Sequence, residues 1–134
     1  MSIYLDNAAT TPLDSRVVEA MEPYLRDHFG NPSSTHTIGR TAKTALESAR
    51  KSVANLLGAS ANEIYFTSGG TEADNQFLIS TAVQPGIRHA ITCATEHHAV
   101  LHSLEYLKNS GVIDLHLVEV NQTGEPDIDH LTAL

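Results

Sequence analysis

The stretch from Phe66 to Asn75 constrains the fold of this chain more than any other part of the sequence. A β-favouring run over residues 64–67 leads into Ser-Gly-Gly, and a helical pattern opens at Thr71. Glycines let the backbone approach an anion closely, and the free N–H groups and dipole of a helix start attract negative charge. The stretch therefore predicts a strand, a turn and a helix start with Gly70 and Thr71 as candidate phosphate ligands. The alternative is a tight connection without a ligand.

The hydrophobic pattern after this stretch alternates between strand and helix. Strands are predicted over 64–67, 89–94 and 113–119, and helices near 71–82 and 98–109. Thr71-x-x-Asp74 fits a capping box at the first of these helices. Parallel strands joined by helical crossovers give an α/β fold, mainly a parallel sheet with flanking helices.

Two helices are predicted before residue 64, after an extended arm. Residues 1–14 form the arm, and residues 15–134 form one structural region. Asp14 or Ser15 caps the first helix, which Pro23 should kink or divide. The second helix has apolar residues every three or four positions and ends at Gly58, a residue suited to a helix C-terminus.

Charge and cysteine content exclude several classes of function. The 134 residues carry 8 Lys and Arg against 16 Asp and Glu, a formal charge of -8. This balance argues against nucleic acid and anionic membrane surfaces as partners. No apolar run reaches the length of a membrane span. Cys93 is the single cysteine, so an internal disulfide framework is excluded and a cytoplasmic location is expected.

Histidines follow the predicted strand 89–94, at the sheet edge where α/β proteins gather ligands. An imidazole of His97 or His98 could stack on a flat ring or move a proton near neutral pH, and the alternative is a surface histidine at a helix start. His98 and His102 have a spacing that allows metal chelation, but there is no Glu in the H-E-x-x-H position and no Cys pair to support a metal site. Cys93 lies in an apolar strand, which favours burial over reactivity. The sequence does not decide the role of His36.

The last residues begin a helical pattern that stops at Leu134. One helical turn is not stable by itself, and three parallel strands make a narrow sheet. The chain is therefore expected to be the front part of a longer protein. A frayed C-terminus is the alternative.

Several segments together resemble one family, the cysteine desulfurases of the NifS/IscS type, which are class-V aminotransferase-like enzymes that use pyridoxal phosphate (PLP). The resemblance covers essentially the whole chain, and its motifs occur in order at matching separations. They are Tyr4–Pro12, Phe29–Ser34 with His36, Ala49-Arg50, Phe66–Glu72 and Glu96-His97.

The resemblance implies the N-terminal part of the large domain of a fold type I PLP-dependent transferase. It implies that Gly70 and Thr71 bind the PLP phosphate and that His97 stacks on the cofactor ring and aids proton transfer. Asn7, Asn31 and His36 are implied to lie in loops near the substrate side of the site. The family usually has Ala at the position of Gly70, a mild departure.

The resemblance also implies an activity and its partners. Family members form homodimers and take sulfur from L-cysteine, leaving L-alanine, for acceptors such as iron–sulfur scaffold proteins. The family's Schiff-base lysine and nucleophilic cysteine correspond to positions beyond 134, so this chain by itself is expected to be inactive. A related PLP lyase, acting on selenocysteine or cysteine sulfinate, remains an alternative. So does a noncatalytic binding module.

Overall fold

The computed structural model describes residues 3–134, which group into two compact units that divide after Tyr65. The first unit contains α1 (Ser15–Arg26), α2 (Thr37–Leu57) and a short 3₁₀ helix (Ala61–Glu63). The second contains α3 (Gly70–Ala82), β1 (His89–Cys93), α4 (His98–Asn109), β2 (Asp114–Val118) and α5 (Ile128–Ala133).

The helices of the first unit begin and end at residues with clear local causes. The Asp14 carboxylate accepts the N–H of Arg16 at 2.9 Å and caps α1. The helix continues through Pro23, so the predicted division does not occur. Gly58 ends α2 with φ at 67°, the left-handed conformation predicted for it.

The loop between α1 and α2 depends on two glycines that pack against backbone. A Cβ at Gly30 would overlap the carbonyl of Ile38, and a Cβ at Gly39 would lie 2.5 Å from the carbonyl oxygen of Ser34. Neither position has room for a side chain. This close packing fixes the loop that holds Asn31 and His36.

The second unit holds two of the three strands predicted from the sequence. β1 and β2 pair in parallel, with His89 opposite Asp114 and Cys93 opposite Val118. α3 packs against α4. The buried core is formed by side chains of these helices and of the segment before β2, namely Ala82, Leu104, Leu107 and Ile113.

Two local predictions on the approach to α3 are wrong. Residues 64–67 are not one of the two strands that the described part of the chain contains. Ile64 is extended, with φ at −99° and ψ at 123°, but its carbonyl accepts the guanidinium of Arg50 instead of a strand N–H. The predicted capping box also fails, because α3 begins at Gly70 and its N-cap is Gly69.

The predicted arm lies partly outside the described residues, since Met1 and Ser2 are not among them. Over residues 3–14 the chain is exposed and turns once, where the Asp6 carbonyl accepts the N–H of Ala9 at 3.2 Å. The arm's separation from 15–134 as a structural region remains a prediction. Within residues 3–134, every helix is too short or too polar to cross a membrane.

Candidate functional site

A surface cavity of about 370 Å³ lies between α3 and α4 in the second unit. Its size falls in the range usual for small-ligand sites. The cavity brings Thr71 and His97 together, two residues that the sequence placed after different predicted strands. Its lining is Thr71, Asn75, Ile79, His97, His98, Ala99, His102, Ser103 and Tyr106.

The first turn of α3 has backbone N–H groups that are open to a ligand. The first hydrogen bond across this turn runs from the N–H of Ala73 to the carbonyl of Gly69 at 3.2 Å. The N–H groups of Gly70, Thr71 and Glu72 precede it and have no carbonyl within the helix to receive them. A Cβ at Gly69 or Gly70 would meet nothing within 4 Å. This helix start has both the donors and the space for an anion.

Glu72 reaches back across the start of α3. One of its carboxylate oxygens accepts both the backbone N–H and the hydroxyl of Ser68, each at 2.6 Å. The hydroxyl, and after it the backbone N–H, lowers the pKa of the Glu72 carboxyl. An acidic side chain thus accepts from the backbone before this helix, but the pair is Glu72 with Ser68 rather than the predicted Asp74 with Thr71.

His97 is the N-cap residue of α4. Its Nδ1 accepts the N–H of Ala99 at 3.1 Å. An accepting Nδ1 carries no proton, so this contact assigns the neutral ring's proton to Nε2. The cap fixes the ring and leaves Nε2–H as its donor. Protonation of Nδ1 would occupy the lone pair that accepts the N–H of Ala99, and the hydrogen bond that caps α4 would be lost.

The other histidines of the cavity form a stacked pair. The ring centroids of His98 and His102 lie 5.1 Å apart with 25° between the planes, as their helical spacing predicts. Within residues 3–134, no group of three or more His, Cys, Asp or Glu side chains is placed to hold a metal ion. Cys93 is half-buried, and its Sγ lies 3.1 Å from Oγ1 of Thr95.

The remaining predicted site residues belong to the first unit and are fixed by local hydrogen bonds. The Asn31 side chain accepts the N–H of Ser33 at 2.9 Å. Nδ1 of His36 accepts the N–H of Gly39 at 3.3 Å and caps α2. Asn7 is exposed in the turn of the arm. Their placement near a substrate remains a prediction.

Asn75 and Ser103 are polar cavity residues that the sequence analysis did not identify. Asn75 lies one helical turn after Thr71, and Ser103 is a polar residue at 5% exposure on the buried face of α4. The spacing of Asn75 from Thr71 and the lone hydroxyl among apolar residues are the signals that could have identified them.

The arrangement fits a phosphorylated planar group. The open start of α3 offers backbone donors and the Thr71 hydroxyl to a phosphate, and the imidazole of His97 lines the same cavity. Glycine at 69 and 70 leaves the approach to those donors clear.

The fold places the chain among the α/β proteins, which gather ligands where parallel strands give way to helices. Comparison with known proteins gives the family. The chain belongs to the class-V aminotransferase family, whose model matches residues 3–134.

Sequence relatives include cysteine desulfurases of two named organisms. The chain is 53% identical over 112 residues to cysteine desulfurase IscS of Methanosarcina thermophila, covering 82% of this chain and 28% of the relative. It is 45% identical over 131 residues to cysteine desulfurase IscS of Dictyoglomus turgidum, covering 96% of this chain and 33% of the relative. The chain thus spans about a third of the length of the curated relatives it matches.

Solved structures agree with this assignment. A NifS-like protein superposes with a TM-score of 0.89 at 39% identity, covering 100% of this chain and 37% of the other. The apo cysteine desulfurase of Thermococcus onnurineus superposes with a TM-score of 0.82 at 30% identity, covering 96% of this chain and 32% of the other. SspA in complex with cysteine gives a TM-score of 0.72 at 35% identity, covering 84% of this chain and 33% of the other.

Proposed function

We propose that this chain forms the N-terminal part of the PLP-binding domain of a cysteine desulfurase. In that enzyme the sulfur of L-cysteine passes to an enzyme thiol and L-alanine remains. The observation that carries the proposal is the cavity that joins the first turn of α3 to His97. The names of the relatives support the activity, and a neighbouring structure that holds cysteine supports the substrate.

Within this proposal the start of α3 holds the cofactor phosphate. The N–H groups of Gly70 and Thr71 and the hydroxyl of Thr71 donate to it, and the helix dipole favours its charge. PLP supplies an electron sink for carbanion chemistry when it is bound. The chain's own contribution is to bind and orient that group.

His97 has two roles in the proposal. Its ring, fixed by the cap to Ala99, covers one face of the cofactor. The same ring moves a proton through its imidazolium form, because the neutral ring has no acidic proton to give. The neutral ring takes up a proton at Nδ1, the atom that accepts the N–H of Ala99, so uptake breaks the cap. Release of that proton from Nδ1 restores both the neutral ring and the cap, so proton movement at His97 is coupled to helix capping.

The assembly and location of the enzyme belong to the same proposal. We expect a homodimer that passes sulfur to an acceptor such as an iron–sulfur scaffold protein, as the IscS names of the relatives suggest. A cytoplasmic location is supported by the single cysteine, which is typical of reducing compartments. Asn7, Asn31 and His36 are proposed to serve the substrate side of the site.

A chimera tests the function directly. Residues 3–134 replace the matched third of the Dictyoglomus turgidum desulfurase, and the measurements are bound PLP and alanine formed from L-cysteine. We expect a PLP-containing enzyme that makes alanine. A chimera that folds but binds no cofactor would contradict the proposal, provided the D. turgidum enzyme is active in the same assay.

Thr71→Val in the chimera tests the phosphate role. The substitution removes one hydroxyl donor to a charged acceptor, worth about 1.5–3 kcal/mol, and PLP affinity should fall by about one to two decades. The backbone donors remain, so binding should weaken without vanishing. Unchanged affinity in a direct titration would count against this role.

A further inference from the structure

Asn75 and Ser103 lie in the cavity without a part in the proposed chemistry, and they join its two helices. Oγ of Ser103 on α4 lies 2.6 Å from Oδ1 of Asn75 on α3. This contact, here named the Asn75–Ser103 bridge, links side chains 28 residues apart. Ser103 is 5% exposed and Asn75 is half-buried, so the Ser103 end of the bridge is the end shielded from water.

At its α3 end the bridge is hydrogen-bonded to the first turn of that helix, here named the anion-binding turn. Nδ2 of Asn75 donates to the carbonyl of Thr71 at 2.7 Å. This bond fixes the orientation of the amide, because the reversed amide would set two oxygens against each other. Oδ1 is therefore the atom that faces Ser103, and it accepts the hydroxyl proton.

The α4 end of the bridge is tied to His97. Oγ of Ser103 also lies 2.6 Å from the carbonyl of Ala99, so its one proton is shared between two acceptors. The N–H of Ala99 in turn donates to Nδ1 of His97 at 3.1 Å. Hydrogen bonds thus run from Thr71 through Asn75, Ser103 and Ala99 to His97.

We propose that Asn75 and Ser103 are positioning residues that fix the distance between the anion-binding turn of α3 and the ring of His97. This inference rests on the proposed function, because the bridge has this role only if one ligand binds both the first turn of α3 and the ring of His97. The 2.6 Å contact between Ser103 and Asn75 crosses from α4 to α3, and the 2.7 Å contact within α3 holds the Asn75 amide in place to make it, so the bridge holds the two helices in register. Neither side chain needs to touch the ligand.

The test uses the 134-residue chain with PLP, and pyridoxal as the probe that lacks phosphate. The variants are Asn75→Ala, Ser103→Ala and the double substitution. Ser80→Ala is the matched control, because the Ser80 hydroxyl bonds only within α3, to the carbonyl of Phe77. Both test substitutions place alanine, the strongest helix former, within a helix, so both variants are expected to fold. If one variant does not fold, the other is sufficient for the test. Affinity is measured by calorimetry, and the His97 ring is followed by NMR.

Each single variant should weaken PLP binding about three- to tenfold, the loss expected from one hydrogen bond. The PLP affinity of the double variant should lie within about twofold of that of the single variant that binds PLP less tightly, because both substitutions break the same bridge. In the unsubstituted chain, inorganic phosphate should shift the His97 ring signals, and both single variants should lose this response. A substitution that only destabilises the fold would lower the midpoint of unfolding but would keep the response of the His97 ring to inorganic phosphate.

Two outcomes would overturn the inference, and they are distinguishable. If the unsubstituted chain binds PLP but the variants behave like Ser80→Ala, the bridge has no positioning role and the proposed function stands. If the unsubstituted chain binds PLP no better than pyridoxal, the phosphate role itself fails and the inference fails with it.

Discussion

His97 and His98 are adjacent in sequence, yet the structure gives them different surroundings. His97 caps α4 through Nδ1, whereas His98 begins the helix and stacks on His102. Adjacent residues at a helix start point in different directions. Both histidines line the cavity, but only His97 is held by the backbone, and His98 is held by stacking on His102.

This difference predicts unequal kinetic effects in the chimera. His97→Ala should slow alanine formation by about 10²–10⁴-fold, the usual range for a positioned acid or base. His97→Gln should recover cofactor binding better than rate, because it is polar but cannot titrate. His98→Ala is the control and should leave both largely intact. The measurement is single-turnover kinetics with L-cysteine, with bound PLP quantified, and equal losses at the two histidines would show that the role is assigned wrongly.

Much of the candidate site was predictable at this scale, and the rest depended on packing. Glycines before a helix indicate an anion site, so Gly70 and Thr71 follow from local pattern. Histidines after a strand indicate a ligand edge, but the choice of His97 over His98 comes from the family resemblance. The roles of Asn75 and Ser103 require the packing of α3 against α4. A sequence of one chain does not specify which helix faces meet.

At the scale of elements, helix limits were predicted well and one strand was not. The helix predicted over 98–109 has the limits observed for α4, because periodicity and caps are local. A strand also needs a neighbouring strand. Residues 64–67 have β-favouring side chains, but the described part of the chain contains only the pair β1 and β2.

The Ser68–Glu72 contact makes the start of α3 sensitive to pH. The pKa of the Glu72 carboxyl is lowered in the folded chain, so its stabilisation is present above the carboxyl's ordinary pKa and is lost as pH falls through the lowered one. Glu72 is exposed, so solvent screens the effect and it stays local. We expect the Ser68 amide signal to titrate in the acid range and Glu72→Gln to abolish that titration.

Glu63→Gln is the control for this prediction. Glu63 makes the corresponding contact with the N–H of Ser60 at 2.7 Å in the first unit, and its pKa is also lowered. The Ser68 titration should persist in that variant. A Ser68 signal that is constant in the unsubstituted chain would show that the contact does not form in solution.

Two glycine-to-alanine substitutions should have opposite effects on stability. Gly70→Ala adds a Cβ in open space at the start of α3 and should raise the free energy of unfolding by about 0.4–1 kcal/mol. Gly30→Ala places a Cβ against the carbonyl of Ile38 and should destabilise by about 1–3 kcal/mol, as overpacking does. Urea unfolding measures both, and a neutral Gly30→Ala would show that the loop relaxes.

At the scale of the whole molecule, each unit leaves large apolar side chains exposed. In the first unit Val17, Met21 and Leu25 on α1 are 45%, 45% and 75% exposed. In the second, Ile91 and Leu117 on the two strands are 45% and 51% exposed. Buried parallel sheets need cover on both faces. These faces agree with a chain that spans about a third of its relatives' length.

The central claim is that one cavity holds a phosphate at the start of α3 and a ring beside His97. The most direct measurement is an amide and imidazole NMR titration of the 134-residue chain with PLP, and then with pyridoxal. We predict that PLP shifts the amides of Gly70, Thr71 and Glu72 together with the His97 ring, and that pyridoxal leaves these amides unchanged. Shifts confined to other residues, or equal amide shifts with both ligands, would contradict the claim.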